Sequence, residues 1–142
     1  TQLPPLTVHT QNKEYSFPKD FAAYKLTLIY FYPRDNTPGC TRQAKGYRDY
    51  FPKFQAAGVQ IFGVSIDSVD SHKRFSDRFN LPFPLISDTD LALTHALSVN
   101  SRDTFLVDNT GTVVAAWRKV SPDEATIDMT LERALSYIKE QA

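Results

Sequence analysis

Cys40 is the only cysteine in the 142-residue chain, and the residues before it place it where a thiol can react. Pro33 ends an apolar run, and the loop after it carries Thr37 and leads to Cys40 at the predicted start of a helix. A helix N-terminus offers unpaired backbone N–H groups and a positive partial charge. Both favour the thiolate, which is the nucleophilic form of cysteine. The position therefore predicts a reactive cysteine.

The alternative for a lone cysteine is an inert residue of the core, which is the commoner case in globular proteins. A single cysteine also excludes a disulfide within the chain, which argues against a disulfide-stabilised scaffold. The sequence Thr-Pro-Gly immediately before Cys40 favours the reactive interpretation, because core cysteines rarely need so constrained an approach.

Two strongly apolar segments flank the Cys40 loop and predict the elements that position it. Residues 26–32 and 59–66 are apolar at nearly every position, as expected of strands covered on both faces. Between them, apolar residues recur at steps of four and three, which predicts one buried face of a helix: Cys40, Ala44, Tyr47, Phe51 and Phe54. Strand, helix and strand of these lengths predict a parallel βαβ unit. Cys40 then lies at the carboxyl end of the first strand, where open sheets bind ligands.

The other elements complete one predicted domain over the whole chain. They are a hairpin at 6–9 and 15–17, a helix at 69–79, a short helical segment at 91–97, a hairpin at 104–107 and 113–117, and a C-terminal helix. The predicted buried face of the last helix consists of Ile127, Leu131, Ala134, Leu135 and Ile138. This order predicts an α/β protein with a thioredoxin-like fold, in which an N-terminal β-hairpin precedes a mixed central sheet flanked by helices.

The run from Tyr30 to Thr41 contains the pattern Pro33-x-x-x-Thr37-x-x-Cys40, which resembles the active-site motif of peroxiredoxins. The full run, YFYPRDNTPGCT, is similar to the Q-type subfamily, the bacterioferritin comigratory proteins. Matching blocks follow in order at 63–65, 81–88 and 102–108, so that the resemblance covers nearly the whole chain. It implies a thiol-dependent peroxidase that reduces hydrogen peroxide and organic hydroperoxides and uses no metal, haem or flavin.

The resemblance also implies roles for individual residues. Thr37 and the backbone N–H of Cys40 would hydrogen-bond the peroxide, and Pro33 would shield the sulfur from water. Arg102 would stabilise the thiolate and polarise the peroxide. Gln43, one turn after Cys40, would orient Arg102; many relatives have Glu there. An arginine in a loop is otherwise most often a solvated cation.

The chain departs from the family at the resolving cysteine. Relatives carry it five residues after the first cysteine, where this chain has Lys45, or in the next helix, where this chain has Ser76. Either an external thiol attacks the Cys40 sulfenic acid, or Ser76 replaces a resolving cysteine. The setting of Ser76 in the sequence predicts an ordinary helix surface and does not decide between them.

The three histidines show no metal-ligand spacing, and we expect His9 on a strand surface, His72 on a helix flank and His95 on a loop or helix surface. Asp88 and Asp90 predict an N-terminal cap for the 91–97 segment rather than a cation site.

Composition limits the remaining function classes. Sixteen basic and sixteen acidic residues give a formal net charge of zero, so nucleic-acid or membrane binding has no electrostatic support. We expect a cytoplasmic monomer, although the missing initiator methionine leaves periplasmic and organellar locations open. The expected reductant is thioredoxin or glutaredoxin with glutathione. The alternatives are a thiol-based peroxide sensor and a redox-inactive, chaperone-like binding module on the same fold.

Overall fold

A computed structural model describes all residues from 1 to 142. The strands are β1 (Leu6–His9), β2 (Glu14–Phe17), β3 (Leu26–Phe31), β4 (Val59–Ser65), β5 (Leu85–Ser87), β6 (Thr104–Asp108) and β7 (Val113–Trp117). The α-helices are α1 (Pro38–Ala56), α2 (Val69–Phe79), α3 (Ala92–Ala96) and α4 (Glu124–Gln141), and a short 3-10 helix spans Lys19–Phe21. No helix combines the length and the apolar composition that a membrane crossing requires.

The central sheet has five strands in the order β5-β4-β3-β6-β7, and β1 pairs with β2 in a separate hairpin. β3 and β4 are parallel, as are β4 and β5, whereas β6 runs antiparallel to both β3 and β7. All six residues of β3 are buried, as its unbroken apolar sequence predicts for a central strand. The loops after β3 and β4 therefore leave the sheet at the same edge, next to each other.

The sheet separates two hydrophobic clusters. The larger one contains 18 buried residues, and α1, α2 and α4 all contribute to it; Cys40, Ala44, Tyr47 and Phe54 come from α1. The smaller one packs the N-terminal hairpin and α3 against the other face. The predicted thioredoxin-like arrangement, with its N-terminal hairpin and mixed sheet, is confirmed, and α2 has the predicted bounds.

The predicted buried face of α4 is wrong at Leu135, whose exposed fraction is 46%. Ile127, Leu131 and Ala134 are buried at spacings of four and three, and Leu135 lies at the rim of that stripe. Phe51 on α1 is also only partly buried, whereas the polar Gln43 is fully buried on the same helix.

Candidate active site

Cys40 lies in the first turn of α1, directly after the loop that leaves β3. Thr37 is the N-cap in an extended conformation, and Pro38 starts the helix, where its missing N–H costs nothing. The Cys40 side chain belongs to the core and is 1% exposed. Its backbone N–H has no acceptor among the hydrogen bonds of the loop and helix, so it remains available to a ligand oxygen.

Arg102 reaches this sulfur from the segment before β6. Its Nη1 atom lies 3.6 Å from Cys40 Sγ and donates a hydrogen bond to Gln43 Oε1 at 2.9 Å. The Arg102 carbonyl accepts from the backbone N–H of Val120, which holds this segment in place independently of the guanidinium. Gly39 leaves room for the Arg102 guanidinium, since a Cβ atom at position 39 would lie 3.3 Å from Arg102 Nη2.

Gln43 is the residue that links Arg102 to the helix. It is fully buried one turn after Cys40, with its oxygen occupied by Arg102 and its Nε2 atom without an acceptor. Tyr30 is a second buried polar residue in this part of the core, and its ring stacks on that of Tyr47. Burial raises the pKa of the Tyr30 hydroxyl well above its usual value. Tyr30 therefore stays neutral, and Arg102 supplies the positive charge at the sulfur.

Thr37 and Pro33 lie in the same loop but are more accessible than Cys40. The Thr37 hydroxyl donates to the Arg34 carbonyl at 3.1 Å, which leaves the hydroxyl oxygen free to accept. Pro33 is exposed and lines a groove with Ile66 and Leu91. The shielding role of Pro33 stays a prediction.

The predicted surface setting of Ser76 is wrong. Its exposed fraction is 9%, and its hydroxyl donates to the Leu81 carbonyl at 3.3 Å. The cause is the end of α2 at Asn80, whose left-handed conformation folds the chain back over the last turn. Lys45 is exposed on α1, and its amine lies over the ring of Phe79 from α2.

The predicted helix-flank position of His72 is also wrong, because this side chain is fully buried. Its Nδ1 atom lies 2.8 Å from Asp35 Oδ2, and its Nε2 atom lies 2.9 Å from the Ile86 carbonyl oxygen. The sequence carried a signal for this burial, since His72 falls in the apolar stripe of α2 with Phe75. A buried imidazole needs hydrogen-bonding partners, and Asp35 in the Cys40 loop is the acidic one.

Asp35 is the centre of a buried polar network. Burial opposes ionisation of its carboxyl, but hydrogen bonds from His72, Tyr32 and Ser71, together with the charge of His72, lower the pKa of Asp35 below its usual value. Asp67 lies close enough to Asp35 and His72 for the three to resemble a metal site, but their ligand atoms already bond protein partners. His9 and His95 are exposed as predicted, and Asp88 and Asp90 cap α3 as predicted.

Comparison with known proteins places this geometry in a family. The AhpC/TSA family model matches residues 1–116. The chain is 44% identical over 106 residues to peroxiredoxin Bcp of Xanthomonas campestris, covering 66% of each protein. It is 39% identical over 116 residues to the chloroplastic peroxiredoxin Q of Sedum lineare, covering 76% of this chain and 62% of the relative. The chain thus spans about two thirds of the length of these curated relatives.

The fold is similar to solved structures over almost its full length. Peroxiredoxin Q of Xanthomonas campestris superposes with a TM-score of 0.87 at 35% identity, covering 94% of this chain and 91% of that one. Sequence, fold and the arrangement around Cys40 agree. The chain therefore belongs to the AhpC/TSA family, among the peroxiredoxins of the Bcp/Q type.

Proposed function

We propose that the protein is a thiol peroxidase in which Cys40 attacks hydrogen peroxide or an organic hydroperoxide. The thiolate sulfur bonds one peroxide oxygen, the O–O bond breaks, and the departing hydroxide or alkoxide takes up a proton. Cys40 becomes a sulfenic acid, and the hydroperoxide becomes water or an alcohol. The observation that carries this proposal is the 3.6 Å distance between the Arg102 guanidinium and the Cys40 sulfur. During the reaction negative charge moves from the sulfur to the departing oxygen, and a guanidinium beside the sulfur stabilises that charge.

The other residues of the loop complete a binding site for the peroxide. The Cys40 N–H and the Arg102 guanidinium donate to the peroxide oxygens. The Thr37 hydroxyl, whose own hydrogen is used by the Arg34 carbonyl, accepts the peroxide hydrogen. This division of donors and acceptors would align the O–O bond with the sulfur. Pro33 would limit access of water from the exposed side of the loop.

The relatives support the same reaction. The Xanthomonas campestris bacterioferritin comigratory protein, 35% identical with a TM-score of 0.87, has been described for its alkyl peroxide reduction activity. An organic hydroperoxide is therefore a reasonable substrate to test beside hydrogen peroxide.

We propose that an external thiol recycles Cys40. The thiol attacks the sulfenic sulfur, a mixed disulfide forms and water leaves. A second thiol then releases the Cys40 thiol and forms a disulfide with the first. Thioredoxin, or glutaredoxin with glutathione, has the chemistry this requires. We expect the protein to act as a monomer, which sedimentation velocity would test.

The test compares the wild type with Cys40→Ser in peroxide consumption, with thioredoxin and glutaredoxin/glutathione supplied in parallel. We expect Cys40→Ser to fall to the rate of the buffer, and one reductant to sustain turnover of the wild type. Equal rates of peroxide consumption by the two proteins would refute the proposed peroxidase activity and favour a redox-inactive binding module.

We propose Ser76 as the position that a resolving cysteine would occupy. Among the similar solved structures are Cys-to-Ser mutants of Xanthomonas campestris peroxiredoxin Q, at two positions separated by the same number of residues as Cys40 and Ser76. We expect Ser76→Cys, oxidised with one equivalent of peroxide, to form an internal disulfide with Cys40, detected by mass spectrometry without reduction. A sulfenic acid that persists in this variant would contradict the assignment. Arg74→Cys is the matched control, because Arg74 is exposed on the same helix, and we expect no internal disulfide in that variant.

A further inference from the structure

We propose that Asp103 positions Arg102 for the peroxide step and that Arg118 assists it from the protein surface. This inference rests on the proposed function, in which the Arg102 guanidinium stabilises charge at the Cys40 sulfur. Both residues have a positioning role, since they act on the loop that carries Arg102 and not on the reacting atoms.

Arg102 lies in a loop that has no regular structure of its own. Residues 97–103 connect α3 to β6 and belong to neither a helix nor a strand. Connecting loops are the more mobile parts of a domain unless hydrogen bonds fix them. The Arg102 side chain bonds Gln43 at its tip, but a long side chain lies no more precisely than the backbone that carries it. The bonds that fix this loop therefore also fix the charge beside Cys40.

Asp103 fixes the loop through its carboxylate and through its backbone. The side chain is 1% exposed. Its Oδ1 atom accepts from the backbone N–H of Lys119 at 2.9 Å, and its Oδ2 atom accepts from Arg118 Nη1 at 3.0 Å. The Asp103 carbonyl accepts from the Phe31 N–H at 2.8 Å, at the end of β3. The residue next to Arg102 thus ties the loop both to β3 and to the segment after β7.

The bond to Lys119 also shapes the segment that holds the Arg102 carbonyl. Lys119 has a φ of 51°, in the left-handed region that residues other than glycine rarely adopt. Such a conformation persists only where the surrounding structure holds it, and here the Asp103 carboxylate accepts the Lys119 N–H. The next residue, Val120, donates its N–H to the Arg102 carbonyl at 2.8 Å. The carboxylate therefore maintains the backbone that anchors Arg102.

Arg118 binds both ends of the loop at once. Its Nη1 atom donates to Asp103 Oδ2 and to the carbonyls of Leu97 and Ser98, at 3.0, 3.2 and 3.1 Å. Its guanidinium also lies over the Phe105 ring, 5.0 Å from the centroid. The Arg118 side chain is half exposed, whereas that of Asp103 is buried. Removing this cation would leave a buried carboxylate without its charged partner, which displaces the loop.

The test compares Asp103→Asn and Arg118→Ala with the wild type, each with Arg102 present and with Arg102→Ala. Single-turnover oxidation of Cys40 by hydrogen peroxide is measured in every protein. Moving the guanidinium about 1–2 Å away from its 3.6 Å distance to the sulfur corresponds to a rate loss of about 5- to 15-fold, at an effective dielectric constant of about 20. We expect that loss in the single variants. In the Arg102→Ala background we expect less than about twofold, because no guanidinium remains to be positioned.

The comparison of the two backgrounds separates positioning from loss of stability. Urea unfolding should show the same destabilisation with and without Arg102, because the bonds of Asp103 are present in both. Arg118→Lys keeps a charged donor and should recover part of the lost rate. Asp108→Asn is the matched control, since that carboxylate holds the β6–β7 turn at the far end of β6 through two backbone N–H groups. It should lower stability and change the oxidation rate by less than about twofold.

A second measurement needs no peroxide. An arginine-selective dicarbonyl reagent modifies Arg102, and mass spectrometry follows the rate of modification. We expect this rate to rise about fivefold in Asp103→Asn and Arg118→Ala, because the hydrogen bond that withdraws the guanidinium is weakened. It should be unchanged in Asp108→Asn.

Two results would overturn the positioning role. One is an unchanged rate of Arg102 modification in both variants, and the other is peroxide oxidation that slows by the same factor with and without Arg102. Arg118→Ala alters a half-exposed residue, so it decides the matter if Asp103→Asn does not fold. A wild type that peroxide does not oxidise would refute the proposed function instead, and the modification rates would still decide the role of Asp103.

Discussion

Replacing Arg102 by alanine removes the one guanidinium that touches the Cys40 sulfur. Coulomb's law gives about 5 kcal/mol for unit charges at the observed 3.6 Å with an effective dielectric constant of about 20, and about 1 kcal/mol at the value of bulk water. Arg102 is partly exposed, so the interaction falls between these limits. Since about 1.4 kcal/mol corresponds to a factor of ten in rate, we expect the peroxide step to slow by about 10- to 1000-fold.

The stability of the Arg102→Ala variant should change much less than its rate. The backbone of Arg102 remains bonded to Val120, and the main loss is the donor to the buried Gln43 oxygen. An unsatisfied buried oxygen of this kind costs about 1–3 kcal/mol, which urea unfolding measures. The double variant Arg102→Ala with Gln43→Leu should recover part of this stability and none of the rate.

The assay is single-turnover oxidation of Cys40, followed by rapid quenching and mass spectrometry of the sulfenic acid. Arg42→Ala is the matched control, because it removes a guanidinium from the same end of α1. That guanidinium faces Asp123 at 3.4 Å, and both side chains are exposed. We expect a change within about twofold for Arg42→Ala, since solvent screens exposed charges. Oxidation of Arg102→Ala at a rate within twofold of the wild type would refute the role given to Arg102.

Two further predictions concern the fold around the site. Gly63→Ala should lower the free energy of unfolding by about 1–3 kcal/mol, because the Cβ atom of the alanine would overpack the core. It would lie 2.9 Å from the Tyr30 ring and 2.8 Å from the Leu85 side chain. An unchanged urea midpoint would contradict this packing. Burial opposes ionisation of Asp103, but bonds from two backbone N–H groups and from Arg118 lower the pKa of its carboxyl. The resulting stabilisation is complete above the unfolded pKa of about 3.9 and is lost as the pH falls through the lower folded value. Wild type should therefore lose stability more steeply than Asp103→Asn below about pH 4, and parallel curves of urea midpoint against pH would refute this assignment.

The sequence predicted the parts of the structure that depend on short-range pattern. The unbroken apolar run of β3, the stripe of α1 and the 69–79 bounds of α2 follow from periodicity, and Cys40 at a helix start follows from the loop before it. Pairing of Arg102 with Gln43 was predicted only through the resemblance, because the two residues lie 59 positions apart in the chain.

Two of the errors arise because burial of a polar residue depends on hydrogen-bonding partners that the periodicity of a helix does not show. His72 is buried because its two ring nitrogens hydrogen-bond Asp35 and the Ile86 carbonyl oxygen, which come from other segments. Ser76 is buried because the chain folds back after α2, so that the Leu81 carbonyl, five residues later, accepts from its hydroxyl. The error at Leu135 has a different cause: this hydrophobic residue lies at the rim of the buried stripe, where it is left exposed.

The Cys40 sulfur belongs to one of the 18 side chains of the larger hydrophobic cluster. Oxidation of Cys40 to the proposed sulfenic acid would add an oxygen atom to a close-packed interior, where even one extra heavy atom forces neighbouring side chains to move. We therefore expect the oxidised protein to melt at a lower temperature than the reduced one, which calorimetry of the two forms would test. Reduction of Cys40 should restore the packing of the core and, with it, the melting temperature.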